Sequence, residues 1–311
     1  LTLFFGAKQS RPEQIANLRL LKIIPLKFWQ GSLDRSEPNL SSQYAFGESP
    51  MPRANRFQQP EMVCHLTHRC HNRSFLLGFA RDRTEYRKRL RQASKKFGVS
   101  LLNYCLTSNH THEIAIESRR GGISRMMQQL EGDFASFYNQ RKHRSGSFWE
   151  DRYHCTMVED GEHLWNCIQY IDLNMVRAGV VSHPCEWQWC GYKELIGEKA
   201  RYRLLDMDRL LELLGKNDID SFSAEYQSRI RDAIAEKKLN RQKCWTESIA
   251  VGGKEYVTKI AASIRYERLK PRIEEREDGS WLVWEEFSHY HTKQTGCQSG
   301  YSAQTLESSL D

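Results

Sequence analysis

The sequence predicts an α+β fold in which strands and helices follow one another as β-α-β-β-α-β-α, with a more helical and more charged segment after Tyr192. Three observations carry this. Residues 62–69, 100–107, 111–117 and 153–159 are short and strand-like. Residues 82–97 and 123–141 separate them with apolar side chains at helical spacing. A third striped helix follows Asp160.

Residues 1–50 stand apart. They begin with Leu1, hold no sustained period and end in a Ser/Asn/Glu/Pro-rich run from Ser36 to Pro52. They are expected to form a disordered or read-through N-terminal extension, with Met51-Pro52-Arg53 as a natural start.

From Met62 the elements come in order. In the first helix Tyr86, Leu90, Ala93 and Phe97 fall on one face. The second strand turns Leu102, Tyr104 and Leu106 to one side, and a tight Ser108-Asn109 turn joins it to the third. The second helix points Ile123, Met127, Leu130, Phe134 and Phe137 inward. Asp160 is placed to cap a third helix running to Ala178, which Gly179 ends. The first six elements form the split-βαβ, ferredoxin-like arrangement, with two helices on one face of a four-stranded antiparallel sheet. The third helix, striped by Leu164, Cys167, Ile168, Ile171 and Met175, fits the free face. Beyond 195, helices are expected over 206–214, 220–239 and 254–265, and a short strand over 280–287, within a helical C-terminal extension spanning 196–290. Residues 291–311 are polar and expected to be a disordered tail.

With 46 Lys and Arg against 39 Asp and Glu, the net charge is +7, which favours a polyanionic partner. Nine cysteines without framework spacing indicate a reducing compartment, and no stretch approaches the ~20 apolar residues of a membrane span. A cytoplasmic, nucleoid-associated protein is the expectation.

The chemistry concentrates in two places. His110 and His112, one residue apart on a strand, point the same way, and two imidazoles on one face make half a metal site. Tyr170 and Asn174, four apart on a helix, share a face that flanks the apolar stripe, and the stripe carries them towards the histidines. A metal pair plus a presented phenol points to phosphoryl transfer through a covalent tyrosine.

Four blocks appear in a fixed order: Cys64-His65-Leu66-Thr67-His68-Arg69-Cys70-His71-Asn72-Arg73, Tyr104-Cys105-Leu106-Thr107-Ser108-Asn109-His110-Thr111-His112, Phe148-Trp149-Glu150-Asp151-Arg152-Tyr153 and Tyr170-Ile171-Asp172-Leu173-Asn174-Met175-Val176-Arg177-Ala178-Gly179. Over residues 51–195 the chain resembles the bacterial REP-associated tyrosine transposases, single-tyrosine HUH transposases of the insertion-sequence type. The resemblance implies metal-dependent cleavage and transfer of single-stranded DNA beside a hairpin, with a 5′-phosphotyrosine intermediate and a free 3′-OH. It makes Tyr170 the nucleophile and His110, His112 and Asn174 the ligands of Mg²⁺ or Mn²⁺. The enzyme would act as a monomer or a homodimer. The chain departs from the family in having Thr111 between the histidines, where a bulky apolar residue is usual, and Met175 where Pro is common.

Arg69, Asn72 and Arg73 at the end of the first strand, Trp149, Arg152 and Tyr153 before the fourth, and Arg177 after the tyrosine are the expected DNA contacts, since Arg holds phosphate and aromatic rings stack unpaired bases. Cys64, His65, His68, Cys70 and His71 lack the paired spacing of a zinc site. His183, Cys185, Trp187, Trp189 and Cys190 read as packing of a connecting segment, and the run Lys237, Lys238, Arg241, Lys243 as an exposed helix end. Two other functions compete: a transposase-derived regulator that binds nucleic acid without cutting, and an RNA-binding ferredoxin-like module. The latter expects stacking aromatics where His110 and His112 stand.

Overall fold

In the computed structural model, residues 59–198, 202–237, 239–264 and 269–287 are described. The expected N-terminal extension, the start at Met51 and the tail 291–311 lie outside them.

The chain runs through β1 (Val63–Arg69), α1 (Ala80–Phe97), β2 (Val99–Leu106), β3 (His110–Glu117), α2 (Gly122–Lys142) and β4 (His154–Val158). These strands lie side by side as β2-β3-β1-β4, every neighbouring pair antiparallel, as the split-βαβ order requires. Then come α3 (Glu162–Asp172), α4 (Asn174–Arg177), α5 (Tyr192–Leu195), α6 (Met207–Leu213), α7 (Ile219–Ala235), α8 (Cys244–Glu247), β5 (Ala250–Gly252), α9 (Lys254–Ser263), β6 (Leu269–Glu275) and β7 (Trp281–Phe287).

Successive side chains of β3 reveal what covers each face. Glu113 accepts from the Tyr86 hydroxyl of α1 at 3.0 Å, whereas His112 meets Asn174 of α4 at 3.0 Å. The sheet therefore carries α1 on one face and the tyrosine-bearing helix on the other, which is why β3 is buried from Thr111 to Glu117. Tyr86, Leu90 and Ala93 of α1 and Ile123, Met127, Leu130 and Phe134 of α2 are buried as their spacing predicts, while Phe97 and Phe137 are half-buried at the margin. The stripe Leu164, Cys167, Ile168, Ile171 and Met175 is buried on the opposite face.

The single helix expected from Asp160 to Ala178 is instead two. Its first residue follows Gly161, not Asp160, because the backbone there takes φ 63° and ψ −130°, a region open to glycine. Leu173, at ψ 0°, separates α3 from α4. Backbone bonds from Leu173 to Gln169 and from Arg177 to Leu173 run across the break, so Tyr170 and Asn174 keep a common face.

The larger correction concerns the C-terminal segment. It is not a separate helical extension. α6, α7 and α9 lie close to the expected helices, but β5, β7 and β6 continue the sheet beyond β4 to give seven strands in the order β2-β3-β1-β4-β5-β7-β6. β5 pairs parallel to β4, so residue 195 is not a break in packing. β5 has too few residues to show a period. β6 is rich in charge and contains Pro271, which an edge strand tolerates because its N–H side need not pair. At the other edge, the segment after α4 lies along β2: Leu106 N–H donates to Trp189 O and Gly191 N–H to Tyr104 O. Trp187, Trp189 and Cys190 are buried there, in packing roles as expected.

Candidate active site

The β2–β3 turn sets the first histidine. Thr107 Oγ1 accepts from the backbone N–H of both Asn109 and His110, and Asn109 Oδ1 lies 2.7 Å from His110 Nδ1. His110 Nδ1 is thereby engaged and Nε2 is the nitrogen left for a ligand.

His112 lies two residues on, its ring 4.9 Å from that of His110. Asn174 Nδ2 donates to His112 Nε2 at 3.0 Å, and on the other side His112 Nδ1 is 2.9 Å from His65 Nε2 with the rings stacked. An acceptor Nε2 requires the proton on Nδ1, so His112 donates to His65; this tautomer is assigned from the hydrogen bonds. His65, on β1, thus orients His112 from behind, as outer partners of metal-ligating histidines do. Thr111 points the other way, to Tyr86 and Glu113, so the departure between the histidines does not touch the site.

Tyr170 comes from α3. Its ring meets the edge of His112 with centroids 6.2 Å apart, Arg177 Cζ lies 4.2 Å from its centre, and Trp245 of α8 packs 6.2 Å away on a further side. Arg177 also donates to Tyr170 O at 3.1 Å. Tyr170 is 6% exposed.

Burial dominates the electrostatics. It pushes His110 down to about 4, helped by the charges of Arg69, Arg241 and Arg177 and opposed by a hydrogen bond that the ring makes to Asn174. It holds His112 well below the ordinary histidine value, with His110 and His65 adding to the effect, and His65 at about 3. All three imidazoles are neutral near pH 7, the form that ligates a metal. Burial raises the Tyr170 phenol, and Arg177 and Arg241 oppose that rise.

The donor set fits a divalent cation. Among the described residues no group of three or more His, Cys, Asp and Glu side chains is arranged to hold a metal. The set here is two neutral imidazoles and one carboxamide, and turning the Asn174 amide over replaces its NH₂ by an acceptor oxygen.

Of the expected DNA contacts, Arg69 stands opposite His110 in the β1–β3 register, Asn72 and Arg73 are exposed in the following loop, Arg152 is exposed, and Arg177 borders the tyrosine. Trp149 and Tyr153 correct the expectation of a free stacking patch. Trp149, 8% exposed, stacks on His68 with centroids 4.0 Å apart and donates to Glu131 O; Tyr153 is 4% exposed. Their rings are core packing under a cavity of about 870 Å³ beside α2 that Arg120, Gln128 and Arg152 also line. His68 lies with Glu131 and the Asp151 carbonyl, away from His65, so the β1 histidines serve different faces.

Two contributors were not legible in the sequence. Trp245 and Arg241 reach the tyrosine from a part of the chain more than seventy residues away in number, where the segment ahead of β5 packs against β4. His65 was visible only as part of a cluster without metal spacing.

Residues 58–174 match the family model described as Transposase IS200 like. Two solved structures are similar. One is a REP-associated tyrosine transposase bound to a REP hairpin, at 16% identity and a TM-score of 0.40, covering 55% of this chain and 90% of that one. The other is a transposase candidate from Deinococcus radiodurans R1, at 18% identity and a TM-score of 0.29, covering 38% of this chain and 93% of that one. None of the curated proteins compared matches the chain.

Proposed function

We propose that this chain, whose residues 58–174 match the family model described as Transposase IS200 like, is a metal-dependent nuclease and strand transferase acting on single-stranded DNA beside a hairpin. The observation that carries the proposal is the meeting of Tyr170, His112 and Asn174 at one point of the sheet face. A nucleophile next to neutral metal donors and cationic side chains is what phosphoryl transfer needs.

In the proposed reaction the Tyr170 oxygen attacks the scissile phosphorus. The new bond joins tyrosine to the 5′ side, the bond to the 3′ oxygen breaks, and that oxygen leaves as a 3′-OH after taking a proton. Arg177 and Arg241 favour loss of the phenol proton, since their charge opposes the rise that burial causes. A divalent ion such as Mg²⁺ or Mn²⁺, held by His110, His112 and Asn174, would supply Lewis-acid polarisation of the phosphate. His65 keeps His112 in the ligating tautomer. Arg69, Asn72, Arg73 and Arg152 would hold the DNA backbone. Because Tyr170 and His112 meet within one chain, the tyrosine is proposed to act in cis, in a monomer or in each half of a homodimer. A cytoplasmic, nucleoid-associated enzyme fits this substrate; among the described residues no helix is long and apolar enough to cross a membrane.

One observation favours a second reading. Tyr170 is 6% exposed, packed by Trp245 and Arg177, as suits a regulator that binds hairpin DNA without cutting it. Incubation with end-labelled hairpin DNA carrying a single-stranded flank, with Mn²⁺, separates the two on a denaturing gel. The enzyme gives a covalent protein–DNA band; the regulator gives binding alone.

A further inference from the structure

The loop after β1 carries an aromatic ring that the core does not use. It makes a 3-10 turn at His71–Arg73, with Asn72 and Arg73 at φ 51° and 55°, in the left-handed region. Such conformations persist where the surroundings fix them, and here they do. His71 N–H donates to Phe148 O at 2.9 Å, Asn109 Nδ2 donates to Arg73 O at 3.1 Å, and Leu77 N–H donates to Ser108 O at 2.9 Å. Leu77 is fully buried, and Arg83 donates to its carbonyl at 2.6 Å. Gly78 N–H donates to Phe75 O, and a Cβ at position 78 would lie 3.0 Å from that oxygen, so the turn at Phe75 is tight.

The backbone is thus anchored on both sides of Phe75, yet the Phe75 side chain is 74% exposed. The anchor is also the catalytic turn: Asn109, which holds Arg73 O, bonds His110 Nδ1 with its other amide atom. Phe79, exposed as well, has the Lys142 ammonium 4.7 Å from its ring centre and so has a partner for one face.

We propose that Phe75 is a stacking platform for an unpaired nucleobase of the strand that enters the site at His110. The inference rests on the proposed function and adds a base contact to it. The surroundings select a base over an apolar protein segment. Asn72, Arg73 and Ser74 beside Phe75 are polar or cationic and exposed, and Arg69 stands at the start of the loop. An exposed ring on a loop that also carries Arg73 and Arg69 offers a π-face and phosphate neutralisation together, the pairing that single-stranded nucleic acid uses. Stacking of this kind tolerates any base.

The test uses the full chain and two probes at fixed salt: a DNA hairpin with an unpaired flank, and the same hairpin without it. Phe75→Ala and Phe75→Leu should weaken binding of the flanked hairpin by about 5- to 100-fold, leave the flankless hairpin within about twofold, and keep the thermal midpoint. Phe75→Trp should restore wild-type affinity. Wild-type affinity in Phe75→Ala overturns the platform, as does wild-type affinity in Phe75→Leu, which keeps bulk without a π-face. Equal losses on both probes also overturn it. If the wild-type protein itself binds both probes alike and forms no covalent band, the proposed function has failed, and that result is distinct from failure of the variants alone.

Discussion

The Asn174 carboxamide reaches His112 Nε2 across 3.0 Å, joining a helix residue to a strand residue 62 positions away. In a hydrophobic layer two such groups would be costly to leave unpaired. In the proposed site these two groups would hold the cation, through the imidazole nitrogen and the amide oxygen. Asn174→Ala and His112→Ala are therefore expected to raise the Mn²⁺ concentration needed for DNA cleavage by at least ~100-fold, and EDTA should abolish the activity of the wild type. A cleavage curve unmoved by either substitution removes both residues from the ligand set.

His65 acts through His112. His65→Phe keeps the stacked ring and removes the acceptor for His112 Nδ1. It should weaken the Mn²⁺ response by about 10- to 100-fold while leaving hairpin binding unchanged. Equal losses in binding and in metal response would make His65 a packing residue only.

Asp172 supplies a pH test. It is buried between the Tyr226 hydroxyl at 2.5 Å and Asn103 Nδ2 at 3.2 Å, and burial raises its carboxyl to about 7 against the partial opposition of those two bonds. A carboxyl with a raised folded-state value stabilises the fold below its unfolded value of about 4 and loses that contribution as pH rises through about 7. Asp172→Asn removes the titration and puts a carboxamide in the carboxyl's place. The urea midpoint of the wild type relative to this variant should fall between pH 5 and pH 8. A gap that stays constant over that range contradicts the assignment.

The C-terminal segment is proposed to belong to the same cooperative unit as the site. Trp245 is buried against Tyr170, its carbonyl accepts from Thr156 Oγ1 of β4, and β5 covers the β4 edge. Trp245→Ala should cost about 3–5 kcal/mol of stability by denaturant unfolding. A fragment limited to 51–195 would expose β4 as an open edge and should aggregate. A soluble fragment that still cleaves DNA would make the segment accessory.

Much of this was legible in the sequence, for identifiable reasons. The order of the first six elements follows from period alone, and the residues that set it, such as Tyr86, Leu90, Ile114 and Leu130, are buried. His110, His112, Tyr170 and Asn174 were each placed by a local rule: alternation on a strand, or i to i+4 on a helix. What stayed hidden depends on pairing at long range. Trp245 has no local pattern linking it to Tyr170, and three-residue β5 carries no period. Trp149 and Tyr153 misled because an aromatic beside Arg152 looks the same in sequence whether its ring faces solvent or His68.

The central claim is that Tyr170 is the nucleophile, and the covalent adduct measures it most directly. Wild-type protein with Mn²⁺ and a hairpin carrying a labelled single-stranded flank should yield a protein-linked 5′ product and a free 3′-OH fragment. Tyr170→Phe, which spares shape and charge, should lose the adduct by several orders of magnitude, on the scale of other lost covalent nucleophiles, and still bind the hairpin within about threefold of wild type, since the deleted hydroxyl contributes at most an ordinary hydrogen bond. A 5′-linked adduct persisting in Tyr170→Phe would contradict the account.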